Sequence, residues 1–351
     1  MARWFENNGP DSDVVISSRV RLARNIRDYN FSLKLDGKSA SDMIDKTMTE
    51  LSGCMEFADY TGYNFKDLNE YQKHAMEERH TISRFLMEQK YAAGLVSPEE
   101  DVSAMINEED HIRIQSFVSG RDMKSAYQKA SSADDIIGRH VPYAYHEKYG
   151  YLTTCLSSVG TGMRASYMLH LPALSGTGQL AGIIGELGRF GLKMTSVFGE
   201  GSSSPGDIYR ISNQTTLGLT EQELIDNLDN IAGQIIEQER LGRQQYMKLQ
   251  QVAAEDAAYR SYGVLRYARK LSLKDALVLL SEFRMGLALG MFGDNIEKGY
   301  SVYQLMIGIQ PYNLQLACNS RMELTELEVA RATFISVFTE KLVKHLSHGA
   351  L

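Results

Sequence analysis

Four arginines in three separate segments could do chemistry together if the fold gathers them. Arg19 and Arg21 lie in SSRVRLARN (17–25), Arg113 in NEEDHIRIQSF (107–117) and Arg164 in CLSSVGTGMRASYMLHLPAL (155–174). The second segment also carries the acidic triplet Glu108, Glu109 and Asp110, and the third places Cys155 before a glycine-rich turn. Guanidinium forks match phosphate oxygens in pairs and stay charged. Carboxylates can hold a basic acceptor and take a proton from it. Together these residue types are what transfer of a phosphoryl group to a basic acceptor needs. Taken singly, each has a plainer reading: solvated surface arginines, an exposed acidic turn, a packing cysteine.

The elements that must position them can be read from periodicity. Residues 13–20 read as a strand, and Arg19 and Arg21, two apart, share one face of it. HIRIQSF alternates with period two, placing His111, Arg113 and Gln115 on one face and Ile112 and Ile114 on the other, as in an antiparallel strand with one buried and one polar face. Residues 41–52 and 122–138 read as helices. Residues 149–156 read as a strand entering the turn SSVGTG, and RASYMLHLPAL as a helix stopped near Pro172. On that reading Arg164 opens a helix, whose N-terminal N–H groups also favour anions. Cys155, beside Arg164 and that N-terminus, is expected to favour its thiolate. FGEGSSSPG (198–206) reads as a mobile loop leading into a strand, DIYRISNQ. Thr220 and Glu223 form a capping box for a helix running to about residue 250, with Leu224, Leu228, Ile231 and Ile235 on one face. Beyond about residue 255 the pattern is helical throughout: Ser272 and Asp275 cap one helix, and two more fall within 299–309 and 325–346. The division expected is 1–252 and 253–351.

The whole chain sets bounds. Its 351 residues suggest two domains. A net charge of −7 argues against a general nucleic-acid binder and suits cationic partners. Three scattered cysteines fit neither a disulfide framework nor a zinc site. The N-terminal residues lack the apolar core of a signal peptide, and no stretch is long and apolar enough to span a bilayer. A cytoplasmic protein with no nucleic-acid or membrane partner is expected. There is no P-loop: GEGSSSPG lacks the lysine and the helix of one.

SSRVRLARN, NEEDHIRI, C-x4-GTG-x-RAS and GEG…ISNQ-x-TLG, in this order, resemble the phosphagen kinase superfamily of ATP:guanidino phosphotransferases, and most closely its bacterial protein-arginine-kinase branch. The resemblance covers most of residues 11–245, and the helical remainder is similar to that branch's C-terminal domain. It implies an α+β fold: an antiparallel-sheet catalytic domain flanked by helices, followed by an all-helical domain. It implies ATP with Mg²⁺, held largely by phosphates and water. It implies ATP binding by Ser17, Ser18, Arg19, Val20, Arg21, His80, Arg113, Arg164, Ala165, Ser166, Tyr167 and Met168, and by Thr195, Ser196, Val197, Phe198, Gly199 and Glu200. Glu109 is implied as the main guanidinium-binding carboxylate and base, Glu200 as the second, and Cys155 as a contact that tunes the guanidinium without attacking covalently. Further implications are protein substrates with exposed arginines, a role in stress response, an activator protein, Clp-type protease machinery and homodimers. The family's small-metabolite kinases carry a helical domain before the SSRVR-like strand. Here that strand starts near residue 14, so an open site suited to an arginine on a protein is expected.

The departures matter. CPTN of the family is Cys155-Leu156-Ser157-Ser158 here. The family's phosphate-binding arginine falls at Thr195, and its second loop glutamate at Ser203. Losing one desolvated charge contact costs on the order of 3 kcal/mol, about a hundredfold in rate, so low intrinsic activity restored by a partner is expected. The family's phosphoarginine-binding RDxxRA corresponds to Leu327-Glu328-Val329-Ala330-Arg331-Ala332, and that regulatory site is not carried over. Two other readings stay open: a non-catalytic ATP- or arginine-binding adaptor, and a small-molecule guanidino kinase.

Overall fold

The structure is a computed structural model that describes residues 2–199, 204–293 and 301–343. Its strands are β1 Val15–Arg24, β2 Thr61–Asn64, β3 Ala93–Val96, β4 Val102–Ile106, β5 Ile112–Ser119, β6 Tyr145–His146, β7 Gly150–Tyr151, β8 Met163–His170, β9 Leu192–Ser196 and β10 Ile208–Asn213. Its helices are α1 Gly37–Ser52, α2 Glu70–Glu78, α3 Arg84–Met87, α4 Met123–His140, α5 Pro172–Gly176, α6 Gln179–Leu187, α7 Glu221–Tyr267, α8 Leu273–Ala288, α9 Val302–Gly308, α10 Pro311–Cys318 and α11 Leu324–Leu342.

Eight strands form one antiparallel sheet in the order β2-β3-β4-β5-β1-β8-β10-β9. β1 lies inside it, paired with β5 on one side and β8 on the other. Helices α1, α4 and the first half of α7 cover one face. Met43, Ile44 and Leu51 of α1, Ala126, Ala130 and Ile137 of α4, and Leu224, Leu228 and Ile235 of α7 pack on Val20, Leu22, Ile114, Ala165 and Tyr167. Side-chain caps start these helices: Asp36 for α1, which begins at Gly37 rather than the expected 41, Asp122 for α4, and the expected Thr220–Glu223 box for α7. Helix α7 continues past residue 250 after a break at Gln250, where φ is −141° and ψ 44°.

The other face is covered in two places: over β3 and β4, Met76 of α2 and Leu86 of α3, with Phe65 and Ile82, pack on Val96 and Met105, and a further cluster lies along the sheet. Helices α8, α9 and α11 and the N-terminal Trp4 and Phe5 form a second core with Phe117, Met168 and Ile208 of the sheet. The polar face expected of β5 is covered in part: Gln115 is buried and donates to the His80 and Thr81 carbonyls in the turn after α2, while Arg113 stays half-buried. His111 is also inside, its Nδ1 accepting from the Ile26 N–H at 3.0 Å and its Nε2 donating to the Asn30 carbonyl at 2.9 Å.

Two local expectations are corrected. Residues 163–170 are strand β8, not a helix. Their alternation is hidden in the sequence because Met168 is buried as deeply as Ala165, Tyr167 and Leu169 on the opposite face. Of residues 149–156, only Gly150–Tyr151 is strand, and Cys155 precedes a three-residue 3-10 turn, Leu156–Ser158. Helix α10, opened by Pro311 and closed by Asn319 at positive φ, was not expected. Among the described residues no helix is long and apolar enough to cross a membrane.

Candidate active site: an arginine face beside an acidic turn

Register decides which side chains meet. Arg21 lies opposite Gln115 and Arg164, and Arg19 opposite Phe117 and Ser166. On β10, Ser212 lies opposite Ser166 and Arg210 opposite Met168. On β9, Lys193 and Thr195 lie opposite Ser212 and Arg210. With side chains alternating, one face gathers Ser17, Arg19, Arg21, Arg113, Arg164, Ser166, Met168, Lys193, Thr195 and Arg210. The same alternation puts the side chains of Ser18, Val20, Ala165 and Tyr167 on the helix-covered face. Val20 and Ala165 are fully buried there, the Ser18 hydroxyl donates to the Gly120 carbonyl, and the Tyr167 hydroxyl donates to Asp229 at 2.6 Å. These four contribute no side chain to the arginine face. With β8 a strand, no helix N-terminus stands behind Arg164 or Cys155, so charge at this face comes from side chains.

The cations are held at high cost. Arg19 is pulled well below its ordinary pKa by burial and by Arg21, Arg210 and Arg113. Arg21 is pulled down to about 9 by burial and by Arg113, Arg210 and Arg164. Arg164, Arg210 and Lys193 are lowered as well, each chiefly by burial. Arg19 donates to Gln115 and sits 4.9 Å over the Phe117 ring, yet its Nε and that of Arg21 are buried without a hydrogen-bond partner. Among the described residues no carboxylate forms an ion pair with Arg19, Arg21, Arg164 or Arg210. Desolvated charges persist in a fold only if something offsets them.

The acidic turn meets this face at Arg113. Its guanidinium reaches Glu108 at 2.7 Å and Glu109 at 2.8 Å. Glu108 is buried and accepts from Ser83 at 2.6 Å, whereas the Glu109 side chain is 42% exposed. Asp110 accepts from Asn25 at 2.8 Å and from the Thr154 N–H at 2.7 Å, which ties the acidic turn to the residue before Cys155. Cys155 Sγ lies 3.1 Å from the Ser157 hydroxyl. Gly162 closes the turn at φ +66°, where a Cβ would strike the Arg24 guanidinium and the Ala23 carbonyl. A cavity of about 160 Å³ is lined by Arg21, Glu109, Arg113, Cys155, Ser157 and Arg164, so arginines, carboxylate and thiol open onto one space. A larger one of about 730 Å³, lined by residues including Glu56, Tyr60, Glu99 and Lys129, has no residue of this face.

His80 borders the arginine face from beyond Phe117. Its Nε2 is 2.7 Å from the Tyr303 hydroxyl of α9, and its ring stacks near Trp4, Phe117 and Tyr303. Burial, with Arg210 and Arg19, pushes its pKa well down, so the ring is neutral. Thr195 is exposed on the face. Val197 and Phe198 pack on the second core, and Ser196 donates to the Gly199 carbonyl at 2.7 Å. Glu200 and Ser203 lie outside the described residues. Sequence reading missed Arg210, Lys193 and Tyr303. The first two could have been found by continuing the period-two count through KMTS and YRIS, and Tyr303 had no local signal. Arg331 is buried and donates to the Ile309 and Leu271 carbonyls, a structural clamp.

Known proteins resemble this chain in sequence and fold. Residues 42–241 match the ATP:guanido phosphotransferase C-terminal catalytic domain, and residues 251–348 the protein-arginine kinase McsB C-terminal domain. The protein-arginine kinase of Caldanaerobacter subterraneus subsp. tengcongensis is 38% identical over 94% of this chain and 98% of its own length. That of Bacillus subtilis is 39% identical over 95% and 92%. Among solved structures, the duplicated taurocyamine kinase from Schistosoma mansoni with bound transition state analog components shares the fold. Its TM-score is 0.59 at 23% identity, over 74% of this chain and 37% of that one. Lombricine kinase has a TM-score of 0.58 at 23% identity, over 67% and 68%. With the catalytic-domain match over residues 42–241, the C-terminal-domain match over residues 251–348 and relatives 38–39% identical over nearly the whole chain, the chain belongs to the ATP:guanido phosphotransferases, in their protein-arginine kinase branch.

Proposed function

We propose that this protein transfers the γ-phosphoryl group of ATP to arginine side chains of proteins. The observation that carries the reading is the cluster of Arg19, Arg21, Arg164 and Arg210, none paired with a carboxylate among the described residues, with Arg21 and Arg164 opening onto the same space as Glu109 and Cys155. Arg19, Arg21, Arg113 and Arg164 bind the triphosphate, whose oxygens supply the anionic partners that Arg19, Arg21 and Arg164 lack among the described residues, and Ser17, Ser166, Met168, His80 and the 195–199 segment border the nucleotide. Mg²⁺ arrives with ATP and offsets charge between the phosphates. Among the described residues no group of three His, Cys, Asp or Glu is placed to hold a metal.

The acceptor guanidinium has a pKa above about 12 and must lose a proton to attack. Glu109, the exposed member of the acidic pair, holds it and takes that proton. Arg113 keeps its bond to the buried Glu108 when the acceptor displaces it from Glu109. A guanidinium nitrogen then forms a bond to the γ-phosphorus as the bond to the ADP oxygen breaks. Cys155 faces the acceptor and adjusts its charge, and Glu200 is the second carboxylate. Exposure of Glu109 suits an arginine carried on a protein surface. The reading extends to a cytoplasmic homodimer whose targets are marked under stress for a Clp-type protease, with an activator protein, and to a division of the chain near residue 252.

The test is ³¹P NMR of the protein with Mg-ATP and an arginine-rich protein, with Glu109→Ala alongside. An acid-labile phosphoramidate signal that vanishes in the variant is expected. ATP binding without any such signal, with candidate activators also present, would favour the adaptor. Transfer to free arginine alone would favour a small-molecule kinase.

A further inference from the structure

Thr195 stands where the family pattern has a phosphate-binding arginine, and the register shows what lies opposite it. Thr195 on β9 pairs directly with Arg210 on β10. Directly opposed residues have Cβ atoms about 5 Å apart and project from the same face. A guanidinium launched from position 210 can therefore reach the space that one launched from position 195 would occupy. Resting on the phosphotransferase reading above, we infer that Arg210 is a triphosphate-binding residue that takes over, from across the strand pair, the role vacated at Thr195.

Three observations support the exchange. No carboxylate pairs with Arg210 among the described residues, although the guanidinium is desolvated. Its charge is felt by Arg19, Arg21 and His80, so it belongs to the same cation cluster. Its row across the sheet runs through Met168 and Ser17, adjacent to the row that holds Arg19 and Ser166. A half-buried guanidinium set among other cations, with no carboxylate on it among the described residues, weakens the empty fold, and an anionic ligand removes that penalty. On this view the chain has moved a cation rather than lost one, and the site is not decayed at this position.

The experiment is a mutant cycle over Arg210→Gln and Thr195→Arg, read by Mg-ATP titration calorimetry and by melting temperature with and without Mg-ATP. Arg210→Gln is expected to melt higher than the wild type without nucleotide, to bind Mg-ATP at least about tenfold more weakly, and to lose about a hundredfold in kcat/KM for ATP. Thr195→Arg alone is expected to weaken binding, because it sets a second guanidinium against the first. Thr195→Arg in the Arg210→Gln background is expected to restore most of the affinity. Unchanged Mg-ATP binding in Arg210→Gln, or no recovery in a folded double variant, would overturn the exchange. A wild-type chain that binds no Mg-ATP would instead sink the phosphotransferase reading, and this inference with it.

Discussion

Arg21 and Arg24 are three residues apart on one strand, and they face opposite sides of the sheet. On the helix-covered side Arg24 is fully matched. Its Nε and Nη2 reach Asp134 at 3.1 and 2.7 Å, its Nη1 reaches the Ala23 and Thr161 carbonyls at 2.9 Å, and its guanidinium lies 3.5 Å from the Tyr151 ring centroid. On the other side Arg21 has a buried Nε with no partner and other arginines for neighbours. Burial of a guanidinium therefore does not mark a site, because a fold can satisfy one internally. A cluster of guanidiniums with no carboxylate partner among the described residues does, since their mutual repulsion must then be offset by something that comes and goes.

The comparison can be broken or sharpened by substitution. The largest effect is expected at Glu109, where chemistry rather than binding is at stake. Glu109→Gln should lower the rate of phosphoramidate formation roughly a thousandfold, about 4 kcal/mol of barrier, with Mg-ATP affinity nearly kept. A parallel collapse of ATP binding would remove the division between acidic turn and arginine face. Next comes a matched charge away from the site. Glu239, buried against Arg243 at 2.6 Å, also accepts from the Ala173 and Leu174 N–H groups. Glu239→Ala leaves that guanidinium uncompensated and should lose about 3–5 kcal/mol in urea unfolding; a loss under about 1 kcal/mol would mean that matching matters less than argued. Arg19→Met should weaken Mg-ATP about a hundredfold, near 3 kcal/mol, measured by calorimetry. The smallest effect is expected at Tyr303, which acts through His80. Tyr303→Phe removes one hydrogen bond of about 1 kcal/mol and should raise KM for ATP severalfold while leaving KM for the acceptor protein alone. An equal change in both would assign Tyr303 a merely structural part.

Much of this was legible in the sequence, for physical reasons. Helices α1, α4 and α7 announce themselves by capping side chains and a single apolar stripe, and β1 and β5 by alternation with arginines on one side. Strand β8 was misread because Met168, on the same face as Arg164 and Ser166, is buried in the second core and breaks the polar half of the alternation. The site's arginines were visible as a set because they lie in segments with distinctive order. Arg210 was not, since its role depends on facing Thr195 across β9 and β10, and register is not written in either strand alone. Tyr303 comes from a helix more than two hundred residues after His80, and only the packed fold joins them.

The most direct test is a pair of melting curves, Arg21→Met and Arg24→Met, each with and without Mg-ATP. Arg21→Met should melt above the wild type without nucleotide and lose most of the Mg-ATP-induced rise, because it removes an unmatched charge and a ligand contact together. Arg24→Met should melt well below the wild type and, where still folded, keep that rise. If both variants fall in melting temperature and both keep the nucleotide shift, the unpaired arginines are not reserved for a triphosphate.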